Sequence, residues 1–177
     1  LVEATSGGGK SSMCAYIYGA RTDFEGRLLF NGVDTYRFDM TRWQQLRREN
    51  IAYLPQDLML FPELTALENI RLKNGLTGYA SDSKIEEWLE RLGIASRKDS
   101  PAGRLSVGQQ QRVAIIRSLC QPFDFIMLDE PVSHLDEHNN RIAAEIISEE
   151  AKTLGAGIIS TSVGNHLLLD YDKTTHL

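Results

Sequence analysis

Phe125-Ile126-Met127-Leu128-Asp129-Glu130-Pro131 is a run of four apolar residues that ends in two carboxylates and is closed by a proline. An apolar run without polar alternation fits a strand buried on both faces, as in a parallel sheet covered by helices. Ligands of open α/β sheets sit at the carboxyl edge of the strands, so this run would deliver Asp129 and Glu130 to that edge. A helix cap is the plainer account of an aspartate-glutamate pair, but Pro131 breaks any immediate helix.

The sequence on either side of this run alternates between strand and helix patterns. Residues 1–3 read as the tail of a strand, 51–54 as a buried strand stopped by Pro55, and 157–161 as another buried strand. A short strand at 27–30 ends at the turn Asn31-Gly32. Helices are expected from the Gly-rich segment through about Tyr18, and over 41–49, 107–119 and 139–154. Between 57 and 105 the character changes: 64–72 and 83–92 carry helix-spaced apolar residues with no convincing strand between them. The expected architecture is therefore one α/β domain over 1–177, a mainly parallel sheet flanked by helices, with a helical subdomain inserted at about 57–105.

Composition agrees with this fold without specifying it. The 177 residues suffice for one core, and 42% hydrophobic and 24% charged residues are ordinary for a globular domain. No apolar stretch approaches the roughly 20 residues of a spanning helix, and no secretory signal pattern opens the chain. The two cysteines, Cys14 and Cys120, share no metal-ligand spacing and read as buried thiols in a reducing compartment, so a cytoplasmic location is expected. A net charge of −5 argues against nucleic acid as a partner. The local exception is Arg42, Arg47 and Arg48 around Trp43, whose plainer reading is a solvated helix face.

Two segments have the chemistry of anion sites. In Ala4-Thr5-Ser6-Gly7-Gly8-Gly9-Lys10-Ser11-Ser12, small residues let backbone N–H groups close around a triphosphate while the following helix points its positive end at it. Lys10 would reach the β and γ phosphates and the Ser11 hydroxyl would hold Mg²⁺, with Ala4 standing where the usual pattern has glycine. The second segment is Leu105-Ser106-Val107-Gly108-Gln109-Gln110-Gln111-Arg112, a serine then a glycine at a helix start, which offers a hydroxyl, free N–H groups and a dipole. A serine cap on a glutamine-rich helix, with no ligand, remains the alternative for these residues alone.

Together these segments resemble the ABC-type ATPases, from Glu3 to Leu177, with Val107 where the family's signature most often has glycine. The resemblance implies ATP and Mg²⁺ as ligands, with residues 4–12, Gln56, Ser106, Gly108, Gln109 and Asp136 binding nucleotide. It implies Ser11, Gln56 and Asp129 at the metal, and Glu130, Gln56 and Ser162 in the hydrolytic step, Glu130 orienting and deprotonating water. Gln56 resembles the family's Q-loop glutamine, Ser133-His134-Leu135-Asp136 its D-loop, and residues 61–70 the part of the insertion that faces a membrane subunit. Ser162 stands where a switch histidine normally contacts the γ phosphate, and His166 is a possible substitute. The family's preceding β-hairpin and its adenine-stacking aromatic are missing from 1–177, so a trimmed chain or poor base recognition is expected. The family pairs head to tail, each signature closing over the nucleotide of the other subunit. A homodimer, or a pseudo-symmetric heterodimer, is therefore expected, coupled to integral-membrane transporter subunits and peripheral on the inner face of the membrane. The compact insertion is similar to that of lipoprotein-release, macrolide-efflux and cell-division ATPases. A nucleotide switch with weakened turnover, and a soluble ABC ATPase acting on nucleic acid or ribosomes, are the competing expectations.

Overall fold

A computed structural model of the chain describes residues 1–5 and 7–177; Ser6 lies outside the described residues. The strands are β1 (Val2–Glu3), β2 (Leu29–Phe30), β3 (Val33–Asp34), β4 (Ile51–Leu54), β5 (Phe125–Asp129), β6 (Gly157–Ser162) and β7 (Thr175–His176). The helices are α1 (Lys10–Ile17), α2 (Met40–Glu49), α3 (Ala66–Asn74), α4 (Asp82–Arg91), α5 (Val107–Leu119) and α6 (Glu137–Leu154). Five strands form one sheet in the order β4-β5-β6-β1-β7, and every neighbouring pair runs parallel.

Helices cover both faces of this sheet, and side-chain alternation along the strands shows which residues meet which layer. On one face, Ile51 of β4 and Met127 of β5 pack with Leu46 of α2, flanked by Trp43 and Phe30. On the other, Ala52, Leu54, Ile126 and Leu128 join Ile70, Leu89, Ile116 and Ile147, from α3, α4, α5 and α6, in the larger core. Burying both faces is the reason 125–128 reads as an unbroken apolar run.

Local chemistry sets where the helices start. Asp39, Thr65, Ser81, Ser106 and Asp136 each accept a backbone N–H three residues on, capping α2 to α6 in turn. The caps move four starts from the apolar pattern: α2 begins at Met40 rather than 41, α3 at Ala66 rather than 64, α4 at Asp82 rather than 83, and α6 at Glu137 rather than 139.

Two strands escape the hydrophobic pattern. The strand expected at 27–30 forms over its last two residues, but it pairs antiparallel with β3, outside the main sheet. Asn31 and Gly32 both take positive φ, 49° and 77°, as a two-residue hairpin turn requires. The polar pair Thr175–His176 joins the sheet edge as β7, alongside β1. Of the arginines near Trp43, Arg42 and Arg48 are exposed on the helix face as expected, while Arg47 binds within the fold: it donates to Tyr18 O at 2.9 Å and Gly19 O at 2.7 Å, and its guanidinium lies over the Trp43 ring. No helix among the described residues is long and apolar enough to cross a membrane.

Candidate functional site

Because β1, β4, β5 and β6 are parallel, the chain leaves all four at one edge of the sheet. That edge collects the loop after Glu3, Gln56 after β4, Asp129 and Glu130 at the end of β5, and Thr161 and Ser162 at the end of β6.

The loop has the shape of an anion cradle. Gly7 and Gly9 are left-handed, at φ 81° and 90°, a region that favours glycine. A Cβ on Gly8 would lie 2.8 Å from the Ala4 Cβ and 3.0 Å from Thr5 O, so this position also excludes a side chain. Helix α1 then starts without a side-chain cap and without an acidic residue in its first turn, leaving its positive end facing the loop. Lys10 is buried at 3% exposure. Its ammonium donates to Ala4 O and Thr5 O at 3.3 and 3.2 Å, and lies 3.7 Å from Glu130 Oε1. A buried cation spread over two carbonyls and one carboxylate is a group that an anion would attract.

Four of the expected site residues form one chain of polar contacts. The Ser11 hydroxyl donates to Gln56 Oε1 at 3.3 Å, and Gln56 Nε2 donates to Glu130 Oε2 at 3.3 Å, bringing Lys10, Ser11, Gln56 and Glu130 together. Asp129 is buried at the same strand end, and its Oδ1 accepts the Thr161 hydroxyl at 2.6 Å. A hydroxyl, an amide oxygen and a carboxylate are the hard oxygen donors that suit Mg²⁺, so the residues fit that ion. Asp129 also bears on Cys14 of α1: burial first, and then the Asp129 charge, push that thiol up to about 12.

The backbone of Glu130 is strained, with φ at 51°. Its N–H donates to the Thr161 hydroxyl at 3.2 Å, and its carbonyl accepts Gln111 Nε2 at 3.2 Å. Sequence reasoning missed both side chains. Thr161 lies within a buried strand and Gln111 sits in a glutamine run, so neither stands out by type.

The remaining expected site residues lie outside the contacts that link Ser11, Gln56 and Glu130. Ser106 and Gln109 cap α5 reciprocally, Ser106 N–H donating to Gln109 Oε1 at 2.9 Å and Gln109 N–H to Ser106 Oγ at 3.3 Å. Asp136 caps α6, and Asn139 N–H at 2.8 Å with its side-chain amide holds the Asp136 carboxyl below the usual range. Neither group forms a hydrogen bond to the phosphate loop among the described residues. Val107 opens α5 at 49% exposure with no positive φ, so its methyls face outward and the backbone conformation is one valine tolerates. Ser162 is buried and its hydroxyl accepts the Gly164 N–H at 2.9 Å, with no acceptor for its own proton among the described residues. His166 stacks edge-on with Tyr171, its carbonyl accepting Asn140 Nδ2 at 3.0 Å. Thr5 is exposed on the loop, and Ser12 Oγ accepts Arg21 Nη1 at 3.1 Å.

A parallel sheet with a glycine cradle, a buried lysine and two carboxylates at its carboxyl edge defines a P-loop NTPase fold. The ABC transporter family model matches residues 5–133. YtrE of Bacillus subtilis, an ABC transporter ATP-binding protein, is 33% identical over 81% of the chain and 64% of its own length. LolD of Shewanella oneidensis, the ATP-binding protein of a lipoprotein-releasing system, is 32% identical over 89% of the chain and 70% of its own length. Among solved structures, the dimeric cassette MJ0796 bound to ADP and Pi superposes with a TM-score of 0.77 at 28% identity, covering 93% of this chain and 73% of the other. The chain belongs to the ABC transporter family, as one of its ATPase cassettes.

Proposed function

We propose that this chain binds ATP in the loop at 4–12, pairs head to tail with a second cassette, hydrolyses the nucleotide and passes the closure to membrane subunits. The observation that carries this reading is the contact chain Ser11–Gln56–Glu130, with Lys10 at 3.7 Å from the same carboxylate. Ser11, Gln56 and Asp129 would hold Mg²⁺, which when bound neutralises charge on the phosphate oxygens. Lys10 exchanges the Ala4 and Thr5 carbonyls for phosphate oxygens. Glu130 orients a water, whose oxygen bonds to the γ phosphorus as the bond to the ADP oxygen breaks, and takes its proton. Ser106, Gly108, Gln109 and Asp136 are assigned to the partner's nucleotide, because one triphosphate does not need two cradles. Residues 57–105 are the inserted helical subdomain, with 61–70 facing the membrane subunit. The chain then lies on the inner face of the membrane through that subunit, and nucleic acid is not a partner. The LolD and YtrE resemblance supports a transporter role, and the MJ0796 dimer supports pairing.

Steady-state phosphate release tests the reading. Glu130→Gln lowers the rate by about 10²–10⁴-fold while ATP binding persists; equal turnover by both proteins overturns it. One observation favours a slower switch of the same fold: Ser162, at the end of β6, can donate a hydrogen bond but cannot carry a positive charge. ATP binding without measurable turnover in the unsubstituted chain would establish that alternative.

A further inference from the structure

Glu130 is held in a left-handed conformation that a side-chain-bearing residue enters only when its surroundings enforce it. We propose that Gln111 is the positioning residue that enforces it, and that it ties Glu130 to the helix carrying Ser106. The inference rests on the hydrolytic role of Glu130 proposed above.

Gln111 is buried at 1% exposure, and its single amide spans the turn from 130 to 134. Nε2 donates to Glu130 O at 3.2 Å and to Ser133 Oγ at 3.4 Å, while Oε1 accepts the His134 N–H at 3.0 Å. The turn presents a carbonyl at one end and an N–H at the other, so the side chain must donate and accept at its tip. Glutamine does both; a carboxylate lacks the donor and a thioether has at most a weak acceptor. Thr161 grips the other side of Glu130 through its N–H, so both peptide groups of the strained residue are held by buried side chains from different elements.

The grip reaches the helix start. One turn before Gln111, Gly108 lies so close to this turn that a Cβ would be 2.8 Å from His134 O. The first turn of α5 therefore rests directly on 130–134, with no side chain between the backbones to absorb movement. A displacement of the Ser106 end of α5 is delivered to the Glu130 carbonyl by Gln111. In a head-to-tail pair, capture of one nucleotide by Ser106 thereby sets the general base that acts on the other.

Phosphate release, fluorescent-nucleotide binding and amide hydrogen exchange on the full chain test this together. Gln111→Met keeps the side chain's size and removes both strong hydrogen-bonding functions. We expect kcat to fall by about 10–100-fold, as small misplacements of a catalytic group do, with KM and nucleotide affinity within about twofold. The amides of 132–134 exchange faster while those of β5 are unchanged. Gln111→Glu keeps the acceptor for His134 and loses the donor to Glu130, so turnover falls while the His134 amide stays protected. Full turnover in either folded variant, or a loss carried by KM alone, overturns the proposal. Parent and Glu130→Gln run alongside: if they turn over equally the reading of Glu130 has failed and the proposal falls with it, whereas a Glu130-dependent parent with unaffected Gln111 variants sinks the positioning role alone.

Discussion

Gly108 shows how one position can carry opposite expectations at two levels of description. In an ordinary helix, alanine in place of glycine stabilises by about 0.5–1 kcal/mol. Here the new Cβ meets a backbone oxygen at 2.8 Å, which no side-chain rotation relieves. Gly108→Ala is therefore expected to cost about 1–3 kcal/mol in urea unfolding; a gain in stability would show that the contact yields freely. The thiols give a pH prediction. Burial, and then a nearby carboxylate, raise Cys14 and Cys120 to about 12 from 9.0. A raised pKa means that the folded state favours the neutral thiol, so this contribution is fully present below about pH 9 and is lost as pH rises toward 12. Unfolding midpoints should fall through that alkaline window, and replacing both cysteines by alanine should flatten the slope. At pH 8 neither thiol should react with a disulfide reagent until the chain unfolds; rapid native labelling would contradict their burial.

Between elements, the contacts that matter are those that water does not screen. Helix α4 is tied to α6 twice. Arg91 forms a bidentate pair with Glu149 at 2.6 and 2.9 Å, but Glu149 is 59% exposed, and surface pairs contribute little. Glu150 is the stronger tie, buried and held by Lys84 at 2.6 Å and by the Tyr79 hydroxyl. Burial and the Glu150 carboxylate both push the Tyr79 phenol up. Glu150→Ala should lower stability by about 1–3 kcal/mol, because Lys84, already partly exposed, can turn to solvent but the Tyr79 hydroxyl loses its acceptor. Glu149→Ala should change it by less than about 1 kcal/mol; the reverse order in chemical denaturation would refute the ranking. Elements long enough to show a period were legible in sequence, as α5 and α6 were. Val33–Asp34 and Thr175–His176 were not, since two residues carry no period and their strand character comes only from a neighbour.

For the whole molecule, the phosphate loop and the Ser106 helix start share no hydrogen bond among the described residues, and the proposed function requires a second copy to join them. In size-exclusion chromatography, Glu130→Gln should elute at twice the monomer mass with ATP and as a monomer with ADP. A monomer under both conditions would remove the head-to-tail reading while leaving nucleotide binding intact. The strand order β4-β5-β6-β1-β7 puts β5 at the centre of the active edge, between Gln56 on one side and the β6 and β1 ends on the other.

By itself the sequence determined the parallel α/β class, the phosphate loop and the candidate carboxylates. Each of these is written in a few consecutive residues: an apolar run, three glycines before a lysine, a pair of acids at a strand end. Only the tertiary structure decided that Glu130 is left-handed, that Thr161 and Gln111 hold it from two sides, and that Gly108 touches His134. Those facts depend on groups 19 to 31 residues apart in the chain meeting at hydrogen-bond distance. Local pattern carries no record of such meetings; they arise when the sheet and its helices close around one core.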